Sequence, residues 1–121
     1  MQKRLRHPPS RYSEYTQYGV INGTRVDGEN AFCYVFCLEP NYAIITDFIV
    51  DESFRNKGFG RRLIHKLKQT HTGHTFFCSS EVEAEPFWKK VAQVVHFSDL
   101  PVVVRSQMDN WNHKNFKQFT F

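Results

Sequence analysis

The chain has three cysteines, Cys33, Cys37 and Cys78, and no two of them are spaced as CxxC. That excludes a disulfide framework and reads as reduced thiols in a cytoplasmic protein. Cys33 and Cys37 lie four apart on an expected strand, so they share a face and are expected in the core. No apolar run approaches the length needed to span a bilayer, so no membrane span is expected. The basic start MQKRLRHPPSRY is followed by no apolar stretch, which argues against a secretory leader. His65, His71 and His74 lack a third ligand at a recognisable spacing, so no metal is expected. There is no repeat, no low-complexity tract and no linker that would divide the chain. Residues 1–14 read as a basic N-terminal arm and 15–121 as one domain, large enough for a single modest core.

What is present is more specific. The formal charge is +4, which suits an anionic ligand but falls short of the dense field of a dedicated nucleic-acid binder. YGVING (18–23) reads as a short strand entering a turn in TRVDGEN, where Asp27-Gly28 supplies the turn chemistry. AFCYVFCLE (31–39) and NYAIITDFIV (41–50) read as strands joined by Pro-Asn in an antiparallel hairpin. The period then changes: Phe59, Leu63, Ile64 and Leu67 recur at helical spacing, which predicts a helix from Gly58 to just before His71. HTFFCSS (74–80) reads as a strand, 84–95 as a second helix with Pro86 in its first turn, and PVVVR (101–105) and FKQFTF (116–121) as two more strands. Asp109-Asn110 reads as a turn between them. The expected fold is α/β (α+β), a mixed, mostly antiparallel sheet with two main helices and a strand–helix–strand unit over 43–80.

The stretch FRNKGFGRRL (54–63) concentrates the chemistry. A helix N-terminus leaves N–H groups unpaired and carries partial positive charge. Gly58 and Gly60 let phosphate oxygens approach the backbone, while Arg55, Lys57, Arg61 and Arg62 add countercharge. A chain of adjacent phosphates is the natural ligand. It is not a P-loop, because GxxxxGK[ST] is absent. Nor is it the dinucleotide fingerprint GxGxxG, whose third glycine would fall on Leu63.

ITDFIV, DESF and RNKGFG, followed by the amphipathic helix, TFFCSS and EAEPFWKKV, resemble the GNAT superfamily of N-acetyltransferases. RNKGFG is similar to its acetyl-CoA signature R-x-x-G-x-G, and EAEPFWKKV to its A-x-x-FY-x-K helix, over roughly residues 42–92. The resemblance implies a splayed central strand pair and acetyl-CoA as cofactor. It puts the pyrophosphate on Arg55, Asn56, Lys57, Gly58, Phe59, Gly60 and Arg61. The pantetheine arm would pair with the backbone of Phe48, Ile49 and Val50. The implied reaction is direct attack by a small-molecule or protein amine on the thioester.

Two departures bear on catalysis. Trp88 stands where the family usually offers a tyrosine, and Glu81 where an asparagine is common. Asp47, a carboxylate in an apolar strand, and Glu81, at a strand-to-helix junction, are the candidate bases. Each has a plainer reading, a salt bridge for Asp47 and a helix cap for Glu81. Trp88 itself reads as helix core. Residues 1–41 are short for the family's N-terminal region, which a second protomer in a homodimer could supply. The alternatives are a degenerate relative that binds coenzyme A or a protein partner without turnover, and a nucleic-acid module using the basic arm.

Overall fold

The computed structural model describes residues 11–16 and 19–121, with side chains from Gly23 onward. One seven-stranded sheet organises them in the order β1-β2-β3-β4-β5-β7-β6. The strands are β1 (Arg11–Thr16), β2 (Gly19–Gly28), β3 (Ala31–Leu38), β4 (Tyr42–Val50), β5 (Thr75–Ser80), β6 (Gln93–Val95) and β7 (Lys117–Thr120). The helices are α1 (Phe59–Thr70), α2 (Glu85–Val91) and α3 (Val102–Asn110). All pairs are antiparallel except β4–β5, as expected of a strand–helix–strand crossover.

The sheet is buried on both faces, which is why β3 and β4 are apolar without alternation. On one face Cys33, Val35, Ala43, Ile45, Phe76 and Cys78 meet Leu63, Ile64 and Leu67 of α1 and Trp88 of α2. On the other, Phe32, Tyr34, Phe36, Ile44 and Phe77 meet Leu100, Val104 and Met108.

Several expectations need correction. PVVVR is not a strand: Val102 begins α3, with Pro101 at its N-cap. Val104 and Met108, four apart, are both fully buried against the sheet. Covering that face outweighs the β preference of three valines. Asp109-Asn110 is the end of this helix rather than a turn, so α3 joins the two main helices expected. The helix expected over 84–95 stops at Val91, and Gln93–Val95 instead extends the sheet beside β7. TRVDGEN is largely strand, since β2 runs unbroken to Gly28 and turns only at Glu29-Asn30. Cys37 is exposed although Cys33 is buried. The first ten residues of the expected basic arm lie outside the described residues, and 11–14 fall within β1.

Candidate active site

β4 and β5 pair only over Tyr42–Thr75, Ala43–Phe76 and Ile44–Phe77. Among the described residues the β5 side of β4 has no strand partner beyond Ile44, while its other side stays paired with β3 as far as Val50. A strand directs half of its N–H and C=O groups to each side, so the upper half of β4 presents free backbone groups along the opening. Asp47, Phe48, Ile49 and Val50 all lie on this stretch.

The same stretch carries a β-bulge. Phe32 opposes Ile49 and Tyr34 opposes Thr46, so Asp47 and Phe48 together face the single residue Cys33. Asp47 has φ 50°, in the left-handed region that aspartate tolerates better than most residues. The bulge shifts the side-chain alternation, and Ile45, Phe48 and Val50 all pack into the α1/α2 face. Asp47 is half-buried, and its charge helps raise the titration of Cys33 and Tyr34. For both groups burial is the larger cause. At Tyr34 a hydrogen bond with Arg25 works the other way. Arg25 in turn donates from Nε to Asp27 at 2.7 Å and lies over the Phe32 ring at 4.2 Å. Thr46, beside the bulge, has a buried hydroxyl with no hydrogen-bond partner among the described residues. Sequence reasoning passed over Tyr34, Arg25 and Thr46, because only the pairing register gathers them.

From Val50 the chain turns through a 3-10 turn, Glu52–Phe54, into α1. Arg55 donates from Nε to the Val50 carbonyl at 3.1 Å, tying the loop to the strand end. Asn56 (φ 63°) and Gly58 (φ 89°) are both left-handed, and Gly58 is the N-cap of α1. The first helical bond runs from the Arg62 N–H to the Gly58 carbonyl at 3.0 Å. The N–H groups of Phe59, Gly60 and Arg61 therefore lack intrahelical acceptors. A Cβ at Gly58 would meet nothing within 4 Å, so the turn is open there. At Gly60 a Cβ would stand 3.0 Å from the Phe87 ring and 3.4 Å from Val50. The first glycine is required by backbone conformation and the second by close packing. Among the described residues, Arg55, Lys57 and Arg61 have no ion-pair partner, whereas Arg62 reaches Glu29 at 3.3 Å.

Glu81 follows directly on β5, across the opening from Asp47. It is exposed at the N-cap of the 3-10 turn Val82–Ala84, and its side chain makes no capping bond. Trp88 is 4% exposed, with ring centroids 5.0 Å from Phe48, 5.1 Å from Phe87 and 5.8 Å from Phe121. It anchors α2 to β4, in agreement with its reading as core. Phe87, beside it on α2, links Gly60 to Phe48.

A family-model comparison matches residues 10–91 to the acetyltransferase (GNAT) family. The comparison with curated proteins gives no match. Among solved structures, N-acetylglutamate synthase from Neisseria gonorrhoeae, complexed with coenzyme A and N-acetyl-glutamate, is similar at TM-score 0.63 and 20% identity. The match covers 84% of this chain and 24% of that one. A GNAT-family acetyltransferase from Staphylococcus aureus Mu50 has TM-score 0.59 and 14% identity, over 84% of this chain and 64% of that one. The Bacillus subtilis N-acetyltransferase YlbP, in complex with coenzyme A, has TM-score 0.54 and 15% identity, over 93% and 66%. The chain thus spans about a quarter of the first of these relatives and about two thirds of the other two. At these identities the likeness is one of fold.

Proposed function

Because the chain belongs to the acetyltransferase (GNAT) family, we propose that it is an acetyl-CoA-dependent N-acetyltransferase acting on a primary amine by direct attack. One observation carries this reading: the pairing of β4 with β5 ends at Ile44, and the free edge so created leads to the open, cationic N-terminus of α1. An elongated ligand with amides at one end and phosphates at the other matches that succession.

The residues fit such a group. The unpaired N–H groups of Phe59, Gly60 and Arg61 suit a pyrophosphate, with Arg55, Lys57 and Arg61 as countercharge. Asn56 and Gly58 supply the left-handed turn that exposes those groups. The backbone of Phe48, Ile49 and Val50 suits an amide-bearing arm added as a further strand. Bound acetyl-CoA supplies an acyl group activated as a thioester. The chain's own task is to hold that carbonyl against a β4 N–H and to receive the proton lost by the amine. Asp47, at the bulge, is the proposed base, with Glu81 on the opposite arm as the other candidate. Trp88 takes no part in proton transfer, since an indole N–H is not a useful donor to a thiolate.

The same proposal includes a small-molecule or protein amine as acceptor, a cytoplasmic location and a homodimer. No helix among the described residues is long and apolar enough to cross a membrane. A second reading, coenzyme A binding without turnover, is favoured by the burial of Trp88 where the family has a tyrosine.

Calorimetric titration with acetyl-CoA, followed by a thiol-release assay over a panel of amines, tests the proposal. Asp47→Asn should lower kcat by about 100-fold or more, the usual scale for a general base, and leave acetyl-CoA affinity unchanged. Binding without turnover on any amine would select the second reading. No binding of acetyl-CoA would overturn both.

A further inference from the structure

The two faces of the opening are unlike. On the face that carries α1 and α2, the rings of Phe48, Phe87 and Trp88 close against one another. The N-terminus of α1 meets the end of β4 from that side. An arm laid from that turn along β4 leaves the α3 face for whatever meets it at the fork. Ser79 stands on this second face. Phe77, the last β5 residue paired with β4, packs against α3, and Ser79 lies two residues further along the strand. Its Oγ is 3.0 Å from Gln118 Oε1 and 3.3 Å from Met108 Sδ, the two acceptors for its single proton.

Gln118 opposes Ser79 across the β5–β7 pair and is 2% exposed. Its Nε2 donates to the carbonyls of His113 at 2.8 Å and Phe116 at 2.9 Å. An amide turned the other way would set oxygen against oxygen, so Oε1 is fixed toward Ser79. A hydroxyl has one proton and two lone pairs. With the proton spent on Gln118 or Met108, Ser79 meets a ligand in the fork as an acceptor. No histidine or carboxylate partners it among the described residues, so it is not an activated nucleophile. We propose that Ser79 holds the attacking amine by accepting one of its N–H groups, with Gln118 as the positioning residue behind it, and that the amine enters from the α3 face. The inference rests on the acetyltransferase reading above and extends it to the acceptor. With one N–H on Ser79, the nitrogen lone pair is turned toward the thioester carbonyl. The N–C bond forms as the C–S bond breaks, and the electron pair leaves with sulfur. The proton lost by nitrogen passes to Asp47 and through solvent to the thiolate. An alcohol would spend its only proton on Ser79 and reach no base, so the arrangement favours amines over hydroxyl acceptors.

The test is steady-state kinetics on the full chain with acetyl-CoA and phenethylamine, cadaverine, L-lysine or glycinamide, beside calorimetry with acetyl-CoA and a urea midpoint for each variant. Ser79→Ala should lower kcat/KM for the accepted amine by about tenfold, the scale of one hydrogen bond, and leave acetyl-CoA affinity unchanged. Ser79→Thr, which keeps the hydroxyl, should restore most of that loss. Gln118→Leu should lower kcat/KM in the wild-type background and have no further effect on Ser79→Ala, whereas its effect on the urea midpoint should appear in both. If Gln118→Leu does not fold, the two Ser79 variants decide the matter. Ser79→Ala with the kcat/KM of wild type overturns the inference alone, as does a matching loss of acetyl-CoA affinity. Wild type that turns over none of these amines overturns the catalytic reading, and this inference with it.

Discussion

Gly60→Ala separates a glycine needed by packing from one needed by a ligand. The new methyl would stand 3.0 Å from Phe87 Cε1, 3.1 Å from Phe87 Cζ and 3.4 Å from Val50 Cγ2. Carbon pairs are comfortable at about 3.5–4.0 Å, so the Phe87 ring must retreat by about half an ångström. It has little room, with Phe48 at 5.5 Å and Trp88 at 5.1 Å between centroids. Overpacking of this kind costs about 1–3 kcal/mol. Alanine returns about 1 kcal/mol of helix propensity, less in a first turn. The expected net loss is about 1 kcal/mol, which at an m-value near 2 kcal/mol/M lowers the urea midpoint by about 0.5 M. Acetyl-CoA affinity should fall by less than about tenfold, because the methyl points at Phe87 and the Gly60 N–H is retained. Gly58→Ala is the control: its methyl meets nothing within 4 Å, and its cost comes from holding alanine at φ 89°, about 1–2 kcal/mol. If Gly60→Ala proved as stable as wild type yet lost acetyl-CoA binding by more than tenfold, the packing argument would be refuted.

Two further predictions concern groups away from the opening. Burial and the neighbouring His74 hold His71 below the ordinary imidazole value of 6.5, against a backbone hydrogen bond at Leu67 that raises it. A depressed base binds its proton more readily when unfolded, so this contribution is intact above pH 6.5 and is lost as the pH falls through the folded value. Urea midpoints at pH 7.5 and 5.5 should therefore differ more for wild type than for His71→Gln, and equal differences would contradict the assignment. Burial also pushes the Cys33 and Cys78 thiols far above their usual range, whereas Cys37 is exposed. Mass spectrometry after maleimide treatment should find one label on the folded chain and three on the unfolded one. A second label on the folded protein would mean that the Cys33 or Cys78 environment opens.

Much of the fold was legible from short-range pattern. The β-branched and aromatic density of residues 31–50 could pack only as a hairpin inside a sheet. The helical spacing of Phe59, Leu63, Ile64 and Leu67 demanded a helix with one buried stripe, and the glycine turn before it marked its start. Trp88 was legible as core for the same reason. Asp47 was conspicuous as a carboxylate in an apolar strand, but only the register with β3 reveals the bulge and the left-handed backbone that accommodate it.

The limits of such reading follow from what local pattern can encode. Residues 101–105 carry three valines in five, yet Val102 begins a helix. The sheet face bearing Phe36, Ile44 and Phe77 needed a cover, and Val104 with Met108 supplies it. Gln93–Val95 continues the spacing of the helix before it, but β7 offers it a free strand edge. The sequence by itself determined where α1 begins, where cationic charge gathers and which stripe of that helix must leave water, because these depend on neighbours in the chain. Only the tertiary structure decided that β4 and β5 part after Ile44, that Gly60 gives way to Phe87, and that Asp47 and Glu81 stand on opposite arms of one opening. Those outcomes depend on pairing and packing between residues distant in sequence, which no local propensity records.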